Sequence, residues 1–381
     1  MEKPPGKRSL LGSGLSIAIV CAYASVFAAG VAAAVYAPSK STSVRPSLSM
    51  VPPPAPEPGA PSPIDVIGAP SLLPVIAMVP RPAIRAALPP ASEAQKLLHA
   101  AKKVDEPVLG WRVDSVDEAI DVFKQHQYTL DGIRLGAPVP RLYLVHIPAD
   151  IRQVTSLETR RQFFMRALLP LMLKINERIQ AQRAFVIYAR NKVANGRALS
   201  LDEQSQLAKL AAYYKVKGAK FDELLDRVDI IPPSLALAQA ITESGWGTSA
   251  FAVRGNALFG QITAETWGMT PIAPIWDGKG EPPFRIKAFP ALSHTFEEYA
   301  RNLNTMPQYK AMREARANLR RADIRIDGYI LAGQLHAYSE RGEAYIAYIR
   351  NLMSNDELLQ FDLDNVRLAP PDMATNDSPR L

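Results

Sequence analysis

The chain has 381 residues, 48% hydrophobic and 21% charged, enough apolar material for more than one folded unit. Its formal net charge of +7 suits polyanionic surroundings. However, the basic residues are spread along helical stretches without aromatic interleaving or a nucleic-acid motif, so nucleic acid is not an expected partner. Cys21 is the only cysteine and the five histidines share no helix face at ligand spacing, so an internal disulfide and a thiolate metal site are excluded and no metal or other cofactor is expected.

Residues 1–9 form a basic tip carrying Lys3, Lys7 and Arg8, and residues 10–37 contain no charged side chain. At ~1.5 Å per residue a helix of that length exceeds the ~30 Å hydrocarbon core of a bilayer. A cleaved signal peptide is the alternative, but Pro38 follows the only late small-residue site, and an uncleaved anchor is the favoured reading. The basic tip then stays in the cytoplasm and the bulk of the chain lies on the outer side of the membrane. Residues 38–91 hold nearly half of the 33 prolines and are expected to be an extended linker.

Folded sequence resumes near Ser92, and residues 92–154 read as a small accessory region. Ser92 with Gln95, and Ser115 with Glu118, have capping-box spacing and predict two short helices. Tyr128 to His146, rich in turn residues, predicts a small hairpin. Thr155 with Glu158 opens a long helix to about Val193, ended by Asn195-Gly196. Further helices are expected over Leu201–Tyr214 and Phe221–Val228, making residues 155–229 a helical arm.

Pro232-Pro233 then starts a short helix that Gly245 and Gly247 stop. Its alanines permit close packing on all sides, so it is expected to be buried, with Glu243 on its last turn where the helix opens to a cleft. An anion is disfavoured both by apolar surroundings and by the negative end of the helix dipole, and both effects hold a carboxyl group protonated. Asn256 is suited to a turn between glycines. Trp246, Trp267 and Trp276 follow Glu243 closely; tryptophan faces match sugar C–H faces, while core packing is expected for at least one of them, foremost Trp246. The helix Leu292–Leu303, with Phe296 and Tyr299, reads as core, and the arginine-rich run Arg313–Arg325 as a solvated helix face.

Glu243-Ser244-Gly245-Trp246-Gly247, followed by Gly255-Asn256-Ala257-Leu258-Phe259-Gly260, resembles the glucosaminidase domain of peptidoglycan hydrolases, glycoside hydrolase family seventy-three. The preceding Pro232-to-Gln239 stretch and the long helical arm resemble its bacterial Bax-like branch. The resemblance implies a mainly α, lysozyme-like fold with a small irregular or β lobe, a catalytic domain over residues 230–354 and a tail over 355–381. It implies cleavage of β-1,4 bonds after N-acetylglucosamine in peptidoglycan strands, with Glu243 as general acid. It carries Tyr338 over as the active-site tyrosine, and it implies that Trp246, Asn256, Phe259, Trp267 and Trp276 shape the glycan cleft. Neither Glu265 nor Asp277 aligns cleanly as a second carboxylate, and both stay open. A lytic transglycosylase on the same fold and a non-catalytic, membrane-tethered wall-binding protein are the rival readings.

Overall fold

The computed structural model describes residues 89–102, 110–218, 220–266, 268–271, 280, 282 and 284–371. The expected anchor over residues 10–37, the linker up to residue 88, and Trp267, Trp276 and Asp277 lie outside the described residues. Among the described residues no helix is long and apolar enough to cross a membrane.

The fold is mainly helical, as expected. The helices are α1 (Ala91–Lys102), α2 (Val116–Gln125), α3 (Leu130–Arg134), α4 (Leu157–Ala194), α5 (Leu201–Tyr213), α6 (Phe221–Arg227), α7 (Pro233–Ser244), α8 (Ala250–Gly255), α9 (Leu292–Thr305), α10 (Lys310–Arg321), α11 (Gly328–Ala332) and α12 (Glu343–Asn355). Short 3-10 turns span Ala149–Arg152, Pro307–Tyr309 and Leu358–Asp362.

The 38-residue α4 is the axis of the molecule. Phe163 to Pro170 is buried at every position but Arg166, so neighbours cover it on all sides; α1, α2, α5, α6, α7 and α9 all pack on it. One hydrophobic cluster runs from Trp111 and Val116 through Phe164 and Leu168 to Leu235, Leu237 and Tyr345. The accessory region, the helical arm and the acid-bearing helix therefore share a single core. Its N-cap is Ser156, whose Oγ accepts from the Thr159 amide, one residue past the expected Thr155. At α2 the expected Ser115 cap is present, accepting from the Glu118 amide. The first helix already begins at Ala91, so Ser92 lies inside it rather than capping it.

The hairpin expected over Tyr128–His146 is absent. Thr129 caps the one-turn α3 instead, and the following segment makes only isolated parallel bridges, Trp111 to Leu144 and Val139 to Leu368. An extended segment that pairs with distant partners carries the same alternation as a hairpin strand, which accounts for the misreading.

The arginine-rich run differs from expectation in part: Arg320, Arg321 and Arg325 are exposed, but its first two arginines are not. Arg313 and Arg316 of α10 are buried, and Arg320 pairs with buried Asp229 through two hydrogen bonds of 2.8 and 3.1 Å. Arg316 donates to the carbonyls of Asp226, Asp229 and Ile230, and Arg183 of α4 lies 3.4 Å from the Asp229 carboxylate. This face of α10 locks the segment that leads into α7.

The small lobe rests on two short antiparallel strands, β1 (Ile262–Thr263) and β2 (Arg285–Ile286), extended by a bridge from Met269 to Ile286. It has its own small core of Phe251, Ala257, Phe284 and Ile286.

Candidate active site

Helix α7 is buried at every residue from Pro233 to Ser244. Pro233 occupies its first turn, where a missing N–H costs nothing. Pro232 supplies no side-chain cap, so the helix takes one from the far end of the chain. Asp362 accepts from the Ser234 amide at 2.9 Å, from Ser234 Oγ at 2.5 Å and from the Gly328 amide at 2.9 Å. A carboxylate there meets the positive end of the helix. Burial nevertheless outweighs these bonds and raises the Asp362 pKa to about 6.

The exit from α7 is a run of three left-handed residues, Gly245, Trp246 and Gly247, with φ of 59°, 58° and 78°. Two of the three are glycine, which carries that conformation without steric cost. Trp246 bears it as a side-chain residue because its ring is held in the core, edge-on to Phe164 at 6.0 Å and under the Arg161 guanidinium at 5.3 Å. At Gly247 a Cβ would stand 3.0 Å from the Phe164 ring and 3.4 Å from Ile147. Gly247→Ala is therefore expected to lower stability by about 1–3 kcal/mol, read as a fall in the thermal midpoint.

This sharp exit leaves Glu243 on the last turn, only 6% exposed. Burial pushes its pKa up to about 8; the Tyr345 hydrogen bond and the Arg341 charge pull it down without cancelling that effect. Tyr345 Oη of α12 donates to Glu243 Oε1 at 3.2 Å. Gln239, one turn earlier on α7, donates from Nε2 to Tyr345 Oη at 2.9 Å and accepts at Oε1 from Tyr299 Oη at 2.7 Å. Tyr338 stacks on Tyr345 with centroids 5.5 Å apart and planes 15° apart, and Tyr309 lies 6.0 Å beyond Tyr338. The phenols of Tyr299, Tyr338 and Tyr345 stay protonated at neutral pH, because burial raises all three well above the ordinary tyrosine range.

The structure thus brings Glu243 and Tyr338 together, with Tyr345 between them making the hydrogen bond. The residues expected to shape the glycan cleft divide differently. Trp246 is core, the packing role foreseen for it. Phe259 is also core, stacked 4.0 Å from Tyr299 and edge-on to Phe296. Asn256 holds the expected turn, left-handed at φ 53°, closing α8 and donating from Nδ2 to the Phe289 carbonyl. The rings of Trp246 and Phe259 are spent on packing, and both support the site from the core. Glu265 is exposed beyond β1, and among the described residues no second carboxylate acts on Glu243; Asp277 lies outside them. Local sequence assigns no role to Tyr345 or Gln239 and marks Tyr299 as core. The i, i+4 spacing of Gln239 and Glu243, which sets both on one helix face, was the available signal. Among the described residues no group of three or more histidine, cysteine or acidic side chains is placed to hold a metal ion.

A buried, protonated acid at the end of a helix, lined by tyrosines, has the make-up of a proton donor in glycosidic chemistry. Residues 218–358 match the family model Glucosaminidase, described as mannosyl-glycoprotein endo-beta-N-acetylglucosaminidase. Protein bax of Escherichia coli (strain K12) is 33% identical over 216 residues, covering 55% of this chain and 74% of that protein. No solved structure gives a significant match. The chain belongs to the glucosaminidase-domain family of glycosidases, on its Bax-like branch.

Proposed function

We propose that this protein is a peptidoglycan hydrolase, an endo-β-N-acetylglucosaminidase that cleaves β-1,4 bonds with Glu243 as general acid. The observation that carries the reading is the Glu243 carboxyl group, whose burial raises its pKa to about 8 and keeps it protonated at neutral pH. In this reading Glu243 gives its proton to the leaving glycosidic oxygen, so the departing sugar hydroxyl leaves neutral and positive charge develops at the anomeric carbon. Tyr338, more exposed than Tyr345 in the stacked pair, is the aromatic assigned to orient the sugar and stabilise that charge.

Glu243 as a single acid fits chemistry in which the substrate itself supplies the second group. The substrate's own N-acetyl oxygen can then attack the anomeric carbon, or the 6-hydroxyl of muramic acid can do so in a lytic transglycosylase. Mass spectrometry of a peptidoglycan digest by the full-length chain separates the two. Reducing N-acetylglucosamine ends are the expected products; anhydro-muramic ends would replace the hydrolase with the transglycosylase. Wall binding with no new ends would leave the tethered wall-binding protein.

The uncharged segment 10–37 after a basic tip supports a single-pass anchor in the inner membrane, with the catalytic domain on the periplasmic side. Alkaline carbonate should then leave the protein in the membrane pellet, while release into the supernatant would refute the anchor.

A further inference from the structure

Glu243 is the last member of a one-way hydrogen-bond chain. Tyr299 Oη of α9 has a single proton and gives it to Gln239 Oε1 at 2.7 Å. That fixes the amide of Gln239 with its NH2 toward Tyr345, where Nε2 donates to Oη at 2.9 Å. With its oxygen receiving a proton from Gln239, the Tyr345 hydroxyl directs its own toward Glu243 Oε1 at 3.2 Å. All four side chains are buried, so water does not readily exchange with these partners. Phe259, stacked on the Tyr299 ring at 4.0 Å, and Phe296 hold the far end of the chain in place.

We propose that Gln239 and Tyr299 are positioning residues that fix the direction of the Tyr345-to-Glu243 hydrogen bond, so that Glu243 Oε1 is always an acceptor and the acid proton is reserved for Oε2. The proposal deepens the reading of Glu243 as general acid and rests on it. A carboxyl group whose two oxygens were equivalent would place its proton toward the substrate only part of the time. A chain that occupies one oxygen presents the other as the donor, and orientation of that kind is a recognised part of acid catalysis.

Among the described residues, the other charged and titratable groups around Glu243 are few. From the segment before α12 come Tyr338, stacked on Tyr345, and Arg341, whose charge favours the ionised form. Tyr309 stands behind Tyr338. Arg161 of α4 lies over Trp246, paired with Asp356. Asp362 is bound at the opposite end of α7, and α11 brings no charged side chain to this end. None of these replaces the Tyr345 bond.

The test titrates Glu243 directly, by the 13C shift of its carboxyl carbon in the full-length chain, alongside the pH dependence of peptidoglycan cleavage. Donation by Tyr345 favours the ionised carboxylate, so Gln239→Leu, which frees Tyr345 to turn away, should raise the Glu243 midpoint by about one pH unit. Tyr299→Phe, which lets the Gln239 amide rotate and draw the Tyr345 proton to itself, should move it the same way. Tyr345→Phe should match Gln239→Leu, and the double variant should go no further than either, because the residues act as one unit. The alkaline limb of kcat should follow the midpoint while KM stays within about twofold, the split expected when only proton transfer is misaligned. An unchanged midpoint in folded Gln239→Leu and Tyr299→Phe would overturn the proposal, and Tyr299→Phe decides it should Gln239→Leu fail to fold. If the midpoints move as expected but the parent chain cuts no glycan, the hydrogen-bond chain stands and the functional reading falls.

Discussion

Glu243→Gln is expected to lower kcat on peptidoglycan by about 10²–10⁴-fold, the range removed with a general acid, with little change in KM. The same substitution should make the protein more stable at alkaline pH. The sign follows from the raised pKa, about 8 in the folded chain against an ordinary 4.5. Below pH 4.5 the group is protonated in both states, and its preference for the folded interior is fully present. As pH rises through 8, unfolding becomes favoured by release of that proton, and the contribution is lost. The difference of about 3.5 units corresponds to at most about 5 kcal/mol. A neutral glutamine of the same shape escapes that loss. Denaturation curves of parent and variant should therefore coincide near pH 4 and separate by several kcal/mol near pH 9. Loss of activity with gain of stability marks a residue kept for chemistry; loss of both would mark it as structural.

Asp229→Ala should be among the most destabilising single changes in the chain. Asp229 is 2% exposed, and burial alone would raise its pKa. The charges of Arg316, Arg183 and Arg320, with the Arg320 hydrogen bonds, outweigh burial and hold it below the ordinary aspartate value. Removing the carboxylate leaves Arg316, itself fully buried, without its counter-charge. Breaking a buried ion pair on one side costs about 3–5 kcal/mol. In a chain of this size that is a fall of roughly 10 °C in the thermal midpoint. Arg320→Ala should cost less, since the Arg320 side chain is 39% exposed and Asp229 keeps its other partners. A midpoint for Asp229→Ala within a degree of the parent would show that the cluster does not hold α10 to the segment before α7.

The parts of this architecture that the sequence discloses are those set by local chemistry. Pro233 and Gly245 bound α7 because one lacks an N–H that the first turn does not need, and the other accepts a left-handed exit. Asn195 ends α4 as expected, and Ser115 caps α2. Where two neighbours can each supply a cap, as Thr155 and Ser156 can, spacing alone does not choose between them. What the sequence hides is long-range. Asp362 caps α7 from more than a hundred residues away. The run Arg313–Arg325 looks solvated by charge count, yet backbone carbonyls take up Arg313 and Arg316 in the interior, and the partly exposed Arg320 reaches buried Asp229. Tyr345 becomes the partner of Glu243 only because α12 packs across α7, a contact that no periodicity in either helix declares. Glu243 was legible because its sequence neighbours build the strained exit that buries it.

The most direct measurement is the titration of the Glu243 carboxyl carbon in the full-length parent chain. A midpoint near 8, against 4.5 for a free glutamate, is the predicted result. A midpoint near 4.5 would mean a hydrated anion at neutral pH, unable to supply the proton on which the proposed cleavage depends.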